Sequence, residues 1–144
     1  MRAVLDPNVI ISALLSPTGA PARLLLAWQD GRFELVVSAA LLAALERALA
    51  YPKLRRYIAA DDAERVIAWL ARTATVAQDP DDPPAIRSAD PGDDYLLALA
   101  ASEDAFLVSG DGHLLDLSGS QPVRSPAAFL GMVEVGPEDA PASD

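Results

Sequence analysis

The stretch Arg2-Ala3-Val4-Leu5-Asp6-Pro7-Asn8-Val9-Ile10-Ile11 decides how the rest of the chain is read. Residues 2–6 form an apolar run of strand length, and residues 8–15 read as a helix directly after it. An acid stands at the junction. The same alternation recurs downstream. Ser16-Pro17-Thr18-Gly19 is turn chemistry, and Pro21 suits the first turn of a helix to about residue 30, stopped by Gly31. Residues 33–37 read as a second strand, and Ser38 is placed to cap a helix over 39–50 with an apolar stripe at Leu41, Leu42, Leu45 and Leu49. Further helices are expected over 54–58 and 61–72, a third strand over 74–77, and a proline- and aspartate-rich loop over 78–91. A helix over 92–102, a fourth strand over 106–109, a Gly110-Asp111-Gly112 turn, a short fifth strand over 122–124 and a last helix over 127–132 complete the pattern. Strands separated by helices predict an α/β fold, a three-layer sandwich with a mostly parallel central sheet. Residues 1–135 fit a single domain, and 136–144 an acidic, frayed C-terminal tail.

Bulk properties agree with a globular chain. At 144 residues with 51% hydrophobic and 22% charged residues, the sequence can bury a core and is not of the disordered class. No apolar run reaches the ~18 residues of a membrane span, and the N-terminus lacks a basic segment followed by a hydrophobic signal. With no cysteine, disulfides and thiolate metal sites are excluded, which fits a cytoplasmic protein with no membrane association. The net charge of −10 weighs against non-specific attachment to nucleic acid, though only mildly, because much of it sits in residues 79–82 and the C-terminal end.

The acids are placed unusually. Asp6 and Asp111 each follow a predicted strand, so both fall on the carboxyl edge of a parallel sheet, where ligands bind. Asp93 and Asp94 open a helix, and Glu46 borders the apolar stripe of another. Each has an ordinary explanation when taken singly, as a turn residue, a helix-start residue or a surface residue. Meeting in one cleft is different, since two unit charges ~4 Å apart repel by roughly 4 kcal/mol at an effective dielectric near 20. Such a cluster needs a cation or shared protons. Carboxylate oxygens suit Mg²⁺ or Mn²⁺ with several waters retained, and the substrate that suits such an ion is a phosphodiester.

Four short motifs in order carry a resemblance. Val4-Leu5-Asp6-Pro7-Asn8-Val9, then Glu46 within the helix after Ser38, then Asp90-Pro91-Gly92-Asp93-Asp94-Tyr95-Leu96-Leu97-Ala98, then Val108-Ser109-Gly110-Asp111 resemble the PIN domain. The likeness runs from Met1 to about Leu130 and is greatest to the VapC-related ribonuclease toxins of toxin–antitoxin systems. It implies a Mg²⁺- or Mn²⁺-dependent endoribonuclease, with Asp6, Glu46, Asp94 and Asp111 as the catalytic and metal-binding acids and Asp93 as a neighbour that shares or exchanges the role of Asp94. Asn8 and Ser109 match the polar positions that accompany the acids. It further implies an antitoxin partner covering the cleft. Two departures stand out. Pro7 replaces a small polar residue, removing a donor beside Asp6, and His113 stands where many relatives carry another Asp.

Beyond the acids, Tyr51-Pro52-Lys53-Leu54-Arg55-Arg56-Tyr57 is the one cationic and aromatic patch, a candidate for RNA contact through Lys53, Arg55 and Arg56 or simply a solvated helix face. Arg23 and Arg87 are lesser candidates. Leu24, Leu25, Leu26 and Trp28 are more apolar than one buried face requires, which allows a homodimer contact besides core packing. Two competing functions remain open on sequence. A haloacid-dehalogenase-like phosphatase needs a second Asp where Asn8 stands, and only Lys53 is available as its lysine. A PIN-fold binding module with its chemistry weakened, acting through a protein partner, draws support from Pro7 and His113.

Overall fold

The computed structural model describes residues 1–84, 86–119 and 121–134, so the tail expected over 136–144 lies outside the described residues. In chain order the elements are β1 (Arg2–Leu5), α1 (Pro7–Leu15), α2 (Ala20–Gln29), β2 (Glu34–Ser38), α3 (Ala39–Leu49), α4 (Pro52–Arg55), α5 (Ala60–Thr73) and β3 (Thr75–Ala77). A 3₁₀ turn (Pro91–Asp93) leads into α6 (Asp94–Ser102), followed by β4 (Phe106–Val108), α7 (Gly112–Leu115), β5 (Val123–Arg124) and α8 (Pro126–Glu134).

Five strands form one parallel sheet in the order β3-β2-β1-β4-β5. Helices flank it as a three-layer α/β sandwich. The chain moves outward from β1 through β2 and β3 on one side, and through β4 and β5 on the other. The order therefore reverses between β1 and β4, which opens a crevice beyond the carboxyl ends of those two strands. Leu5 of β1 lies opposite Val108 of β4, so the residues that follow each strand emerge side by side.

Ala3, Val4, Leu5, Leu35, Val36, Val37, Leu107 and Val108 are buried, as expected for strands covered on both faces. Phe129 of α8 is fully buried, with Phe33 edge-to-face at 5.2 Å and Phe106 at 5.6 Å. Trp28 of α2 and Trp69 of α5 meet at 5.0 Å. Gly31 ends α2 at φ 80°, a left-handed conformation that favours glycine. Among the described residues no single helix is long and apolar enough to cross a membrane.

Two expectations change. The helix foreseen over 92–102 is divided: Asp90 accepts a hydrogen bond from the Gly92 N–H at 2.9 Å and caps a separate 3₁₀ turn before α6 begins. A Cβ at residue 92 would stand 3.2 Å from that Asp90 oxygen, so the tight turn favours glycine there. The turn foreseen at Gly110-Asp111-Gly112 runs on into the short helix α7, capped by Asp111.

Candidate metal centre

Asp6 is the N-cap of α1 and is only 5% exposed. Its Oδ1 accepts the Asn8 N–H at 2.9 Å, and its Oδ2 accepts the Ser109 hydroxyl at 2.8 Å. Pro7 occupies the first helical position, where a missing N–H costs nothing. The donor expected to be lost at Pro7 is thus supplied one residue later by the Asn8 backbone. Ser109, fully buried, also accepts the Asp111 N–H at 3.0 Å, so one hydroxyl ties the two acids together. Asp111 caps α7 through the His113 N–H at 2.8 Å. His113 itself is exposed and contributes its backbone here.

The third acid of the crevice is Asp93. Burial pushes its carboxyl up to about 6, and the charges of Asp6, Asp111 and Asp90 push in the same direction. The Asp111 side chain also adds to this rise through a hydrogen-bonding contribution. Oδ2 of Asp93 is shielded from water and has no hydrogen-bond partner. The Asp6 carboxyl is also raised, first by burial and further by Asp111, while the Asn8 N–H and Ser109 hydroxyl oppose the shift.

Asp94, which the motif favours as the third acid, is turned elsewhere. Its Oδ1 accepts the Ser88 N–H at 2.9 Å and its Oδ2 lies 3.8 Å from the Arg87 guanidinium. The break between the 3₁₀ turn and α6 separates the two neighbours, so Asp93 faces Asp6 and Asp111 while Asp94 anchors the preceding loop. Glu46 is exposed on α3, and it is absent from the charges that perturb Asp6, Asp93 or Tyr95. The α3 residue whose charge reaches Tyr95 is Arg47, one position and ~100° further round the helix. Its charge moderates the phenol of Tyr95, which is raised by burial and then by Asp6 and Asp93.

In the sequence Asp79 reads only as part of an acidic loop. Its Oδ2 accepts the Ala40 N–H at 2.9 Å at the start of α3, its Oδ1 is buried without a partner, and its charge reaches Tyr95. No local signal marks a contact between residues so far apart. Lys53, Arg55 and Arg56 lie on or next to α4, all exposed, with Tyr51 and Tyr57 at 64% and 73% exposure. Arg23 is paired with Glu134 at 2.6 Å. A cavity of about 390 Å³ on α2 and α8, beside Arg23 and Glu134, holds none of the crevice acids, so size alone does not mark the site.

Among the described residues no group of three or more His, Asp or Glu closes to metal-holding spacing. The crevice nonetheless fits a hydrated cation. Mg²⁺ commonly takes only one or two carboxylates directly and keeps several waters. An unpartnered, water-shielded carboxylate oxygen under the charge of two other acids is what a cation, or a proton, relieves. Asp93 and Asp111, with Asp6 behind them, are the residues that would hold it.

Comparison with known proteins agrees with this architecture. The crystal structure of PAE2754 from Pyrobaculum aerophilum is similar with a TM-score of 0.64 at 17% identity, covering 94% of this chain and 91% of that one, which shows the shared fold. No curated protein matches the chain significantly. The sequence profile of the PIN domain matches residues 2–113. The chain belongs to the PIN domain family, whose members are generally metal-dependent nucleases.

Proposed function

We propose that this protein is a Mg²⁺- or Mn²⁺-dependent endoribonuclease of the cytoplasm and the toxin of a toxin–antitoxin pair. The observation that carries the reading is the bare Asp93 Oδ2, on a carboxyl that feels the charges of Asp6 and Asp111, the acids at the strand-order reversal. When bound, the divalent cation supplies positive charge against the acids and a Lewis acid for phosphate oxygens. The protein's own groups do the positioning. Ser109 fixes Asp6 and the backbone of Asp111 through one hydroxyl, and the caps of α1 and α7 hold both carboxylates in single orientations. Ionised Asp93 would take the proton of the water that attacks phosphorus and return it to the leaving sugar oxygen as its bond to phosphorus breaks. Exposed Lys53, Arg55 and Arg56, flanked by Tyr51 and Tyr57, supply phosphate contacts and stacking surfaces for single-stranded RNA. An antitoxin segment presenting a basic side chain would neutralise the same three acids.

The test is cleavage of single-stranded RNA by purified protein with Mn²⁺, stopped by EDTA and abolished in Asp6→Asn. Full cleavage by that variant would sink the proposal. One observation favours a second reading, a binding module with weakened chemistry: Glu46 is exposed on α3, and its charge is not among those that perturb Asp6 or Asp93. Calorimetry with Mn²⁺ separates the two, because an inert module shows no binding that Asp111→Asn removes.

A further inference from the structure

A cavity of about 340 Å³ reaches Asp111 and is lined besides by Asn8, Val9, Ser12, Pro21 and Pro126. We infer that this cavity is a base-recognition subsite, taking one unpaired nucleobase of the RNA strand next to the phosphodiester to be cut. The inference rests on the ribonuclease reading above and deepens it by naming what is recognised beside the cut.

Size comes first. Ligand pockets start at roughly 300 Å³, so this one suits a single nucleoside. Its chemistry is that of a base rather than a phosphate, since every residue named on its lining except Asp111 is uncharged. Asn8 and Ser12 stand four residues apart on α1 and so project from the same helix face. Both are exposed, and neither side chain is engaged by another described residue, so the Asn8 amide and Ser12 hydroxyl are available to a ligand. An amide offers a donor and an acceptor together, the pattern that pairs with the edge of adenine. Val9, Pro21 and Pro126 supply apolar contact for the ring faces. Pro21 and Pro126 sit in the first turns of α2 and α8, where their fixed φ makes the walls rigid. Sequence-specific RNA recognition works in this way, through unstacked bases read by side chains.

A second cavity contrasts with it. About 300 Å³ in volume, it is bordered by Asp81, Asp82 and Asp94, with Arg87 the one cation on its lining. Three carboxylates on that side disfavour a nucleic-acid strand, and the neutral cavity beside Asp111 is the hospitable one.

The experiment uses the full chain and Ser12→Trp, which fills the cavity from an exposed position, with Ser12→Ala as the milder partner. The ends produced from a randomised single-stranded RNA with Mn²⁺ are sequenced, and binding of AMP, GMP, CMP and UMP to the EDTA-treated protein is followed by amide NMR shifts at Asn8, Ser12 and Gly110. The expected result is enrichment of one base, adenine, by roughly 10-fold beside the cut, with AMP shifting those amides most. Ser12→Trp loses the enrichment and the shifts and raises KM more than it lowers kcat, while Ser12→Ala reduces both in part. Cleavage with no base preference beside the cut, or an unchanged preference in Ser12→Trp, overturns the subsite and leaves the nuclease reading standing. Absence of any RNA cleavage overturns that reading, and the subsite with it.

Discussion

Asp93→Asn is expected to make the cation-free protein more stable and to remove its response to Mn²⁺. The wild-type carboxyl titrates at about 6 in the folded protein against an ordinary 3.8. Between those values the folded state holds a proton that the unfolded state has released. Stability therefore falls as pH rises from about 4 to about 6, and stays at the lower level above that. A rise of about two pH units, at ~1.4 kcal/mol each, sets a ceiling near 3 kcal/mol. The carboxyl is partly exposed, so solvent screening brings the expected loss to about 1–2 kcal/mol. Asparagine keeps the size and abolishes the charge, so the variant should be free of this loss. At roughly 2–4 °C per kcal/mol for a domain of this size, the gain amounts to about 2–8 °C in Tm at pH 7.5 and close to nothing at pH 4.

The assay is thermal unfolding by circular dichroism, in EDTA, at both pH values. Asp94→Asn serves as the control. It weakens a 3.8 Å contact with exposed Arg87 and relieves no crowding, so it should bring no gain at pH 7.5. The reasoning is refuted if Asp93→Asn is no more stable than wild type at pH 7.5, or if its gain is the same at both pH values. A gain in Asp94→Asn instead would show that Asp94 is the crowded acid.

Three other outcomes follow from the same structure. Mn²⁺ at about 100 times its Kd should stabilise wild type by ~2.7 kcal/mol, seen as a rise in Tm that disappears in Asp93→Asn and Asp111→Asn. Ser109→Ala removes a buried hydroxyl shared by Asp6 and the Asp111 N–H, so denaturant unfolding at pH 7.5 should report a loss of ~2–3 kcal/mol and RNA cleavage should fall with it. Replacing Lys53, Arg55 and Arg56 together by Ala should leave Mn²⁺ binding intact while flattening the dependence of log K for RNA on log salt, by about 0.7 for each phosphate no longer neutralised; an unchanged slope would place RNA elsewhere.

The order of strands and helices was legible because each element carries its own signal. Apolar runs mark β1, β2 and β4, and Asp6 and Ser38 sit where caps belong, the latter accepting the Leu41 N–H at 3.3 Å. The strand-end placement of Asp6 and Asp111 followed directly from that alternation. The rest depends on contacts between distant segments. Nothing local announces that β4 rather than β3 lies beside β1. Asp93 and Asp94 are adjacent acids at one helix start, and only the cap at Asp90 and the Ser88 contact assign them opposite tasks. Glu46 differs from Arg47 by one position, within the uncertainty of any helix boundary read from sequence. α7 did leave a trace, since Asp111 is followed by the apolar pair Leu114 and Leu115, but four residues are too few for a period to register.

Asp6, Asp111 and Asp94, taken singly, had ordinary explanations as cap or turn residues, and under the proposed function those explanations become part of the site. Asp6, Asp111 and Asp94 all accept backbone N–H groups. Those hydrogen bonds fix the direction of each carboxylate, and at buried Asp6 they also oppose the rise that burial causes. For Asp6 and Asp111, capping engages Oδ1 at the start of a helix while Ser109 sets the second carboxylate oxygen of one and the backbone of the other. Asp93 is the exception. It has an oxygen with no partner and a carboxyl pushed up to about 6, and it feels the charges of the two acids that capping holds rigid. A chain selected for stability alone gains nothing from leaving that oxygen bare, because a neutral residue there relieves the repulsion at once. The cost is explained if the pocket of negative potential is kept for a cation, with the caps serving as the scaffold that prevents the three carboxylates from relaxing apart before it arrives.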